Sequence, residues 1–448
     1  MDDPRFIFLV IKVSNCVPLG MQKVKQVLQK VTYPTWAIII FVLFVYFYTK
    51  ELYSISDFGI FYLAVQDFWQ GIDIYTKLYT DCNCWHYFYS PFFALSFSSI
   101  MTWLSVESAS WVWKFVNLIL LYRNWVLFAQ YYDLKVLNKK DIRYWSLITF
   151  IGGLFLIYLN LHNNQMTIFI VWSIFESIRL INNGDEWLGS LILAVGINFK
   201  ILPIILIPYL LYRGNFSSTW KTLLWFVVLL FIPALFVGFE YNNLLLDKWW
   251  GLINPLNKEH NLDVSEKGLT SITTLIPVLF IENYTWDTAF SWSRHIVDLS
   301  EKTVVIMVQL ARIVIVLYMF YFLRTKVLVA EKIKIKMMWE LSYLLIAGVL
   351  IFPHQQQYAF YLVFPAIVYV VYAIILEIKV KPRSKFVWGP VLVVMFLLIS
   401  SEFYFGNFHA FIRYVKLLTY GTLFLIVVLS YLKPDRVLKN IKFLKGRI

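Results

Sequence analysis

Apolar runs recur from Trp36 to Leu432, most of them close to the roughly 20 residues that carry an α-helix across a bilayer. They predict helices over about 36–53, 108–130, 144–160, 164–181, 187–200, 201–213, 219–239, 303–323, 339–353, 356–376, 386–405 and 410–432. Inside lipid every backbone N–H and C=O needs a partner within the protein, so uninterrupted runs of this kind read as helices. The pattern defines an all-α polytopic membrane protein of about twelve transmembrane helices, with 1–448 forming a single integral membrane domain.

One further apolar stretch, 91–106, decides the parity of everything up to the long polar segment 240–302. Charge settles it better than hydropathy. The segments Arg5–Lys30, Lys135–Arg143, Arg324–Lys336, Lys379–Lys385 and Lys433–Arg447 are basic and belong in the cytoplasm by the positive-inside bias. All five share a side only if 91–106 does not cross, so it reads as a shallow or re-entrant helix. The alternative merges 187–213 into one long helix and places Lys135–Arg143 outside. On the first reading 1–35 is a basic cytoplasmic segment, 51–107 the first extracytoplasmic loop, 240–302 a long extracytoplasmic loop and 433–448 a basic cytoplasmic tail. Phe6–Val10 is too short, and too soon followed by Lys12, to be a cleavable signal, so the first span is expected to stay as an anchor.

Composition fits this picture: of 448 residues 60% are hydrophobic and 19% aromatic, with a mean hydropathy of +0.67. The net charge of +13 sits in short loops between spans and reads as topology, not as a nucleic-acid surface. Cys16, Cys82 and Cys84 are the only cysteines. Cys82-Asn83-Cys84 with His86 lacks the second ligand pair of a zinc site, so no metal or other cofactor is expected. There is no Gly-rich phosphate loop with its Lys, no HExxH and no paired CxxC. The longest loop, roughly 60 residues, is shorter than a typical domain of about 100. An activated substrate therefore has to arrive in the membrane, on a lipid.

The unusual polar residues gather on the predicted outer face. The first loop carries Glu51, Asp57, Asp67, Asp73 and Asp81, and the long loop carries Asp263, Glu266, Glu282 and Asp287. Asp57 precedes an apolar run, Phe58–Trp69, and reads either as a helix cap or as a general base taking a proton from an acceptor hydroxyl, a role worth typically about 10²–10⁴ in rate. Lys200, in Gly196-Ile-Asn-Phe-Lys200-Ile-Leu-Pro203, reads as a phosphate-holding cation or a snorkelling interfacial lysine. His354, between Pro353 and three glutamines, suits phosphate binding, assistance to Asp57, its own base role, or a structural hydrogen bond. Asn164 and Gln165, in Leu161-His162-Asn163-Asn164-Gln165, offer amides to sugar hydroxyls or simply form a turn. Arg294 and His295 are candidate phosphate or glycan contacts. Trp249, Trp250, Trp286 and Trp292 suit sugar stacking or an interfacial belt. Arg312 lies inside a predicted span and requires a buried partner.

The residues Asp57-Phe58 with Tyr62, Ala64, Gly71 and Tyr75, then Phe88-Tyr89-Ser90-Pro91, Asn164-Gln165, Lys200 with Pro203, Gly268-Leu-Thr-Ser271 and Pro353-His354 resemble glycosyltransferase family 87 over about residues 36–376. The chain departs where that family commonly shows Gly-Gln, having Asn164-Gln165 instead. The resemblance implies a GT-C fold in the plasma (inner) membrane with its active site on the extracytoplasmic face. It implies inverting transfer of a hexose, mannose above others, from a polyprenyl-phosphate sugar to a glycolipid or lipid-linked glycan. Asp57 is then the catalytic carboxylate and His354 an active-site residue. Lys200, Arg294 and His295 fall to the donor phosphate, and Tyr62, Tyr89, Asn164, Gln165 and Ser271 to sugar or acceptor. The expected partners are membrane lipids and these substrates, with no nucleic acid. Two rivals differ in signature: a transporter or flippase of lipid-linked glycans predicts inverted repeats with broken helices, and an O-antigen polymerase or ligase predicts an Arg-rich outer loop, whereas 240–302 is acidic.

Overall fold

The computed structural model describes residues 35–47, 56–79, 85–254, 262, 268–282, 294–324 and 327–446. Cys16, Glu51, Asp81, Cys82, Cys84, Asp263, Glu266, Trp286, Asp287 and Trp292 lie outside these, as does the basic segment 5–30.

The described chain is mainly helical, with one short hairpin. Helices α1 (Thr35–Phe47) and α2 (Ser56–Trp69) come first. Strands β1 (Leu78–Tyr79) and β2 (Trp85–His86) pair antiparallel, Leu78 against His86 and Tyr79 against Trp85. Then follow α3 (Pro91–Met101), α4 (Val106–Ala129), α5 (Lys139–His162), α6 (Thr167–Asn182), α7 (Glu186–Phe199), α8 (Leu202–Tyr212), α9 (Phe216–Val237) and α10 (Phe239–Ile253). The chain closes with α11 (Ile272–Phe280), α12 (Glu301–Phe322), α13 (Lys334–Ile351), α14 (Gln357–Val380), α15 (Lys385–Phe405), α16 (Leu417–Tyr431) and α17 (Pro434–Lys445).

Local sequence explains the starts. Ser105 and Ser300 accept the Ser108 and Thr303 amides at the heads of α4 and α12. Asn138 and Asp141 cap α5 reciprocally, satisfying two otherwise orphaned N–H groups. Almost wholly buried, α14 is the central post against which α5, α13, α16 and α17 pack.

Five described helices are long and apolar enough to cross a membrane, or seven if each bent pair counts as one span. That is fewer than the twelve expected, because several predicted spans are short: α7 has 14 residues, about 21 Å at 1.5 Å per residue, against a hydrocarbon core of about 30 Å. Helices α3 and α4 meet at 107°, so 91–106 does not continue α4 as a straight rod. The helix also breaks at Lys200, whose backbone is extended at φ −151°, ψ 128°, instead of running unbroken over 187–213. Helix α10 falls in what the sequence presents as loop. Its charged Glu240, Asp247 and Lys248 mask an amphipathic helix that buries Asn242, Leu245 and Trp249.

The basic segments within the described residues come together at one end. There Lys379 pairs with Asp141 and Lys445 with Asp133 at 2.6 Å. Arg436 grips both oxygens of Glu377, at 2.6 and 3.1 Å, and Asn440 adds a third bond at 2.8 Å. Arg213 pairs with Glu340, which also accepts from the Tyr209 hydroxyl at 3.0 Å, and Arg213 reaches the Val329 carbonyl at 3.4 Å. From this end α5 and α14, of 24 residues each, extend about 36 Å to the opposite one.

The Arg213–Glu340 pair is buried on both sides, at 2% and 1% exposure. Removing one partner leaves an uncompensated charge, so Glu340→Ala is expected to cost about 3–5 kcal/mol. The half-exposed Lys445–Asp133 pair is worth about 0–1 kcal/mol. Thermal unfolding in detergent should show a clear loss for Glu340→Ala and almost none for Lys445→Ala.

Candidate active site

Three helix breaks meet at the end of the bundle away from the basic segments: 163–166 between α5 and α6, 200–201 between α7 and α8, and 352–356 between α13 and α14. The start of α2 and the segment 87–90 complete the region. Close approach of α7 to α6 depends on Gly196, where a Cβ would collide with Ser173. Two site turns hold a non-glycine residue in the left-handed region, Asn164 at φ 50° and His354 at φ 53°, a conformation retained only where surrounding contacts enforce it.

Asp57 lies in the first turn of α2, whose Phe58, Ile60, Phe61, Ala64 and Val65 are buried. Its carboxylate accepts from the Gln165 side-chain amide, 108 residues along the chain. Burial pushes the Asp57 carboxyl up to about 6, against the pull of Lys200 and His162 in the other direction. The Lys200 ammonium is pushed down to about 8 by burial, opposed by the Asp57 charge. Its Nζ stands 5.0 Å from the centre of the Tyr358 ring, a cation–π placement.

Lys200 and Tyr358 line a cavity of about 150 Å³ together with His354, Gln356, Tyr89 and Trp249. Phe88, Phe199, Leu252, Ile253, Leu269 and Phe352 supply apolar wall. Trp249 is fixed by its indole N–H on the Phe88 carbonyl at 3.2 Å, and the Phe88 ring lies 6.0 Å from the His354 imidazole. Leu269 pairs with Gln356 across an isolated bridge, and Thr270 N–H donates to the Gln355 carbonyl at 2.9 Å. The Gly268–Ser271 patch and the Pro353-His354 turn, remote in sequence, are thus physically joined.

The other candidates are distributed as follows. Tyr89 lines the cavity, its ring stacked on Phe93 at 4.5 Å. Burial and the Asp57 charge both raise its phenol. Gln165 holds Asp57, while Asn164 donates to Ser110 Oγ at 2.8 Å, behind the cavity lining. Tyr62 donates to the Leu104 carbonyl at 3.0 Å and ties α2 to the turn after α3. Ser271 is buried against Thr273. Arg294 stacks 4.1 Å over the Tyr414 ring and donates to the Tyr414 carbonyl. Asp57, Tyr62, Asn164, Gln165, Ser271, Arg294 and His295 do not line the cavity; Asp57 bears on it through Lys200, whose charge it feels. Of the other first-loop acids, Asp67 takes Lys77 at 2.6 Å and Tyr79 at 3.0 Å, and Asp73 caps its own turn through Tyr75 N–H at 2.9 Å. Arg312 finds the Ile351 carbonyl at 3.2 Å, on the last turn of α13, where a cation complements the helix dipole. His162, stacked on Tyr158 at 5.4 Å, and Tyr358 are legible in the sequence only as members of polar turns. Among the described residues no three His, Cys, Asp or Glu side chains cluster to hold a metal ion.

A half-buried carboxylate within electrostatic reach of a half-buried ammonium that lines a cavity, at the breaks of apolar helices, is the kind of arrangement that marks a functional site in a membrane protein. The sequence model of glycosyltransferase family 87 matches residues 87–333, over half of the chain, and the chain belongs to that family. It is a membrane glycosyltransferase. Asp57, Tyr62 and His354 lie outside the matched residues, so their placement rests on the geometry above. No curated relative matches the chain.

Because the Lys200 charge lowers the Asp57 carboxyl, Lys200→Met is expected to move the Asp57 titration above about 6. Infrared difference titration against Asp57→Asn reads this directly; an unmoved carboxyl band would show that the two groups do not interact.

Proposed function

We propose that the protein transfers a hexose, mannose as the leading expectation, from a polyprenyl-phosphate sugar to a glycolipid or lipid-linked glycan, with inversion at the anomeric carbon. The observation that carries this reading is the Asp57 carboxylate, held by Gln165 within electrostatic reach of Lys200, which itself lines an apolar-walled cavity. The positive-inside bias of the basic end supports an extracytoplasmic site.

In the reaction the acceptor hydroxyl gives its proton to Asp57 as its oxygen bonds to the anomeric carbon. The bond from that carbon to the phosphate oxygen breaks, and its electron pair leaves on the lipid phosphate. Lys200 offsets the charge that grows there, the kind of pre-placed cation that favours the transition state over the ground state. The lipid phosphate leaves without protonation, so one base suffices, unlike the acid and base pair of glycoside hydrolysis. His354, on the cavity wall, takes the second phosphate contact. Tyr89 and Trp249 offer the sugar a phenol and an indole face. Gln165 orients the base, and the reading assigns the donor phosphate to Lys200 and His354 instead of Arg294 and His295. It calls on no cofactor.

A carboxyl near 6 is matched to base chemistry at neutral pH. The rate should rise about tenfold per pH unit below about 6, as Asp57 loses its proton, and fall above about 8, as Lys200 loses its charge. Asp57→Asn should lower kcat by about 10²–10⁴ and abolish the acid limb. The assay is transfer of labelled sugar from polyprenyl-phosphate mannose into native lipid extract by purified protein. Equal transfer by Asp57→Asn at unchanged folding would sink the base assignment and move it to His354. No transfer from mannose or glucose donors, with flux of lipid-linked glycan across vesicles, would replace the enzyme reading by a transporter.

A further inference from the structure

Helix α4 carries polar side chains at Ser110, Trp113, Asn117 and Asn124. At 100° per residue these fall within about 60° of arc, one narrow stripe along the helix. Each reaches the break between α5 and α6 or the first turn beyond it. Ser110 Oγ accepts from Asn164 Nδ2 at 2.8 Å, Trp113 Nε1 donates to the Asn164 carbonyl at 3.0 Å, and Asn117 Nδ2 donates to the Gln165 carbonyl at 3.3 Å. Asn124 Nδ2 donates to the Ile168 carbonyl at 3.1 Å, one turn past the break.

The carbonyls of Asn164 and Gln165 lie between helices, in residues 0% and 1% exposed. Water does not solvate them there, and α4 takes its place. The Gln165 amide N–H goes back to the Asn160 carbonyl at 2.8 Å. With both ends of its peptide pinned, the residue projects its side chain to Asp57. Its own Oε1 is buried without a hydrogen-bond partner, so no second bond fixes the side-chain amide. Its aim is set by the backbone, and the backbone is set by α4.

We infer that Asn117, with Trp113, is a positioning residue for the transfer reaction: it acts through the Gln165 backbone to aim the Gln165 amide at Asp57. Neither side chain lines the cavity. The inference rests on the reading of Asp57 as the base. A misplacement of the order of 1 Å at such a shell costs about 10²-fold in rate. A carboxylate that loses an oriented donor is less stable in its charged form.

The test compares Asn117→Leu and Trp113→Phe with Asn124→Leu, which deletes the same kind of bond two turns further along α4. Trp113→Phe keeps an aromatic ring in place and guards against a failure of Asn117→Leu to fold. The expected result is a ten- to hundredfold fall in kcat for the first two, KM for the lipid donor within about twofold, and an acid limb displaced to higher pH. Asn124→Leu should lose thermal stability but keep both kcat and the limb. Equal losses in all three variants with an unmoved limb would reduce the stripe to ordinary packing and overturn the inference. Infrared titration of Asp57 in the same variants separates the two claims. A carboxyl that shifts in Asn117→Leu, in an enzyme whose rate ignores Asp57→Asn, keeps the positioning and discards the base; a carboxyl that stays put while Asp57→Asn is inactive discards the positioning alone.

Discussion

Backbone satisfaction at helix breaks is the constraint on which this structure turns. A continuous helix pairs its own N–H and C=O groups, but each interruption frees several of them in surroundings where water is scarce. The protein tolerates interruptions at 163–166, 200–201 and 352–356 because other helices supply what the broken ones lose. Helix α4 binds the carbonyls of the first, and Thr270 and Leu269 pair with the third. Apart from Trp249 on α10, every candidate group of the site hangs from such a break, from the first turn of α2 or α14, or from the segment that precedes α3. Chemistry and the cost of interrupting a helix are thus located together.

The acids of the basic end and Asp57 are held in different ways. At the basic end, Glu340, Glu377 and Asp141 meet guanidinium or ammonium groups directly, and these contacts tie the helix ends together. At the other end Asp57 accepts from an uncharged amide and feels Lys200 only across space. A direct ion pair would hold the carboxylate ionised and weakly basic. The amide holds its orientation while leaving burial free to raise its basicity. Charge ties helix ends together where it is paired directly, and on the proposed reading it stays available for chemistry at Asp57, where it is not.

Much of this is legible in the sequence. Apolar run lengths reveal the helices, and Lys200, Pro353 and the Asn164-Gln165 turn mark where they break. The basic segments predict one another's company, and those within the described residues do meet. Other features are opaque because their meaning is relational. Tyr62 and Ser271 carry the right chemistry for a glycan, yet their hydroxyls are committed to Leu104 and Thr273. Arg294 is taken up by Tyr414. Helix α10 hides because three charged residues on its outer side break the apolar run, although its inner side delivers Trp249 to the cavity. The stripe on α4 hides because two asparagines and a tryptophan in a long helix show no destination until α5 and α6 are placed beside it.

The site is also scattered along the chain, and this has a consequence for how the protein is made. Asp57 is synthesised about 100 residues before Gln165 and about 300 before Tyr358, the ring that faces Lys200. At roughly 5–20 residues per second, the carboxylate spends on the order of 15–60 s of its first minute without the wall that encloses it. During that interval it is an acid in a half-built membrane protein, and the segment that bears it has every reason to remain at the water boundary. The surroundings of Asp57 are therefore completed late in synthesis, and a chain released before α14 emerges lacks the Tyr358 ring that faces Lys200.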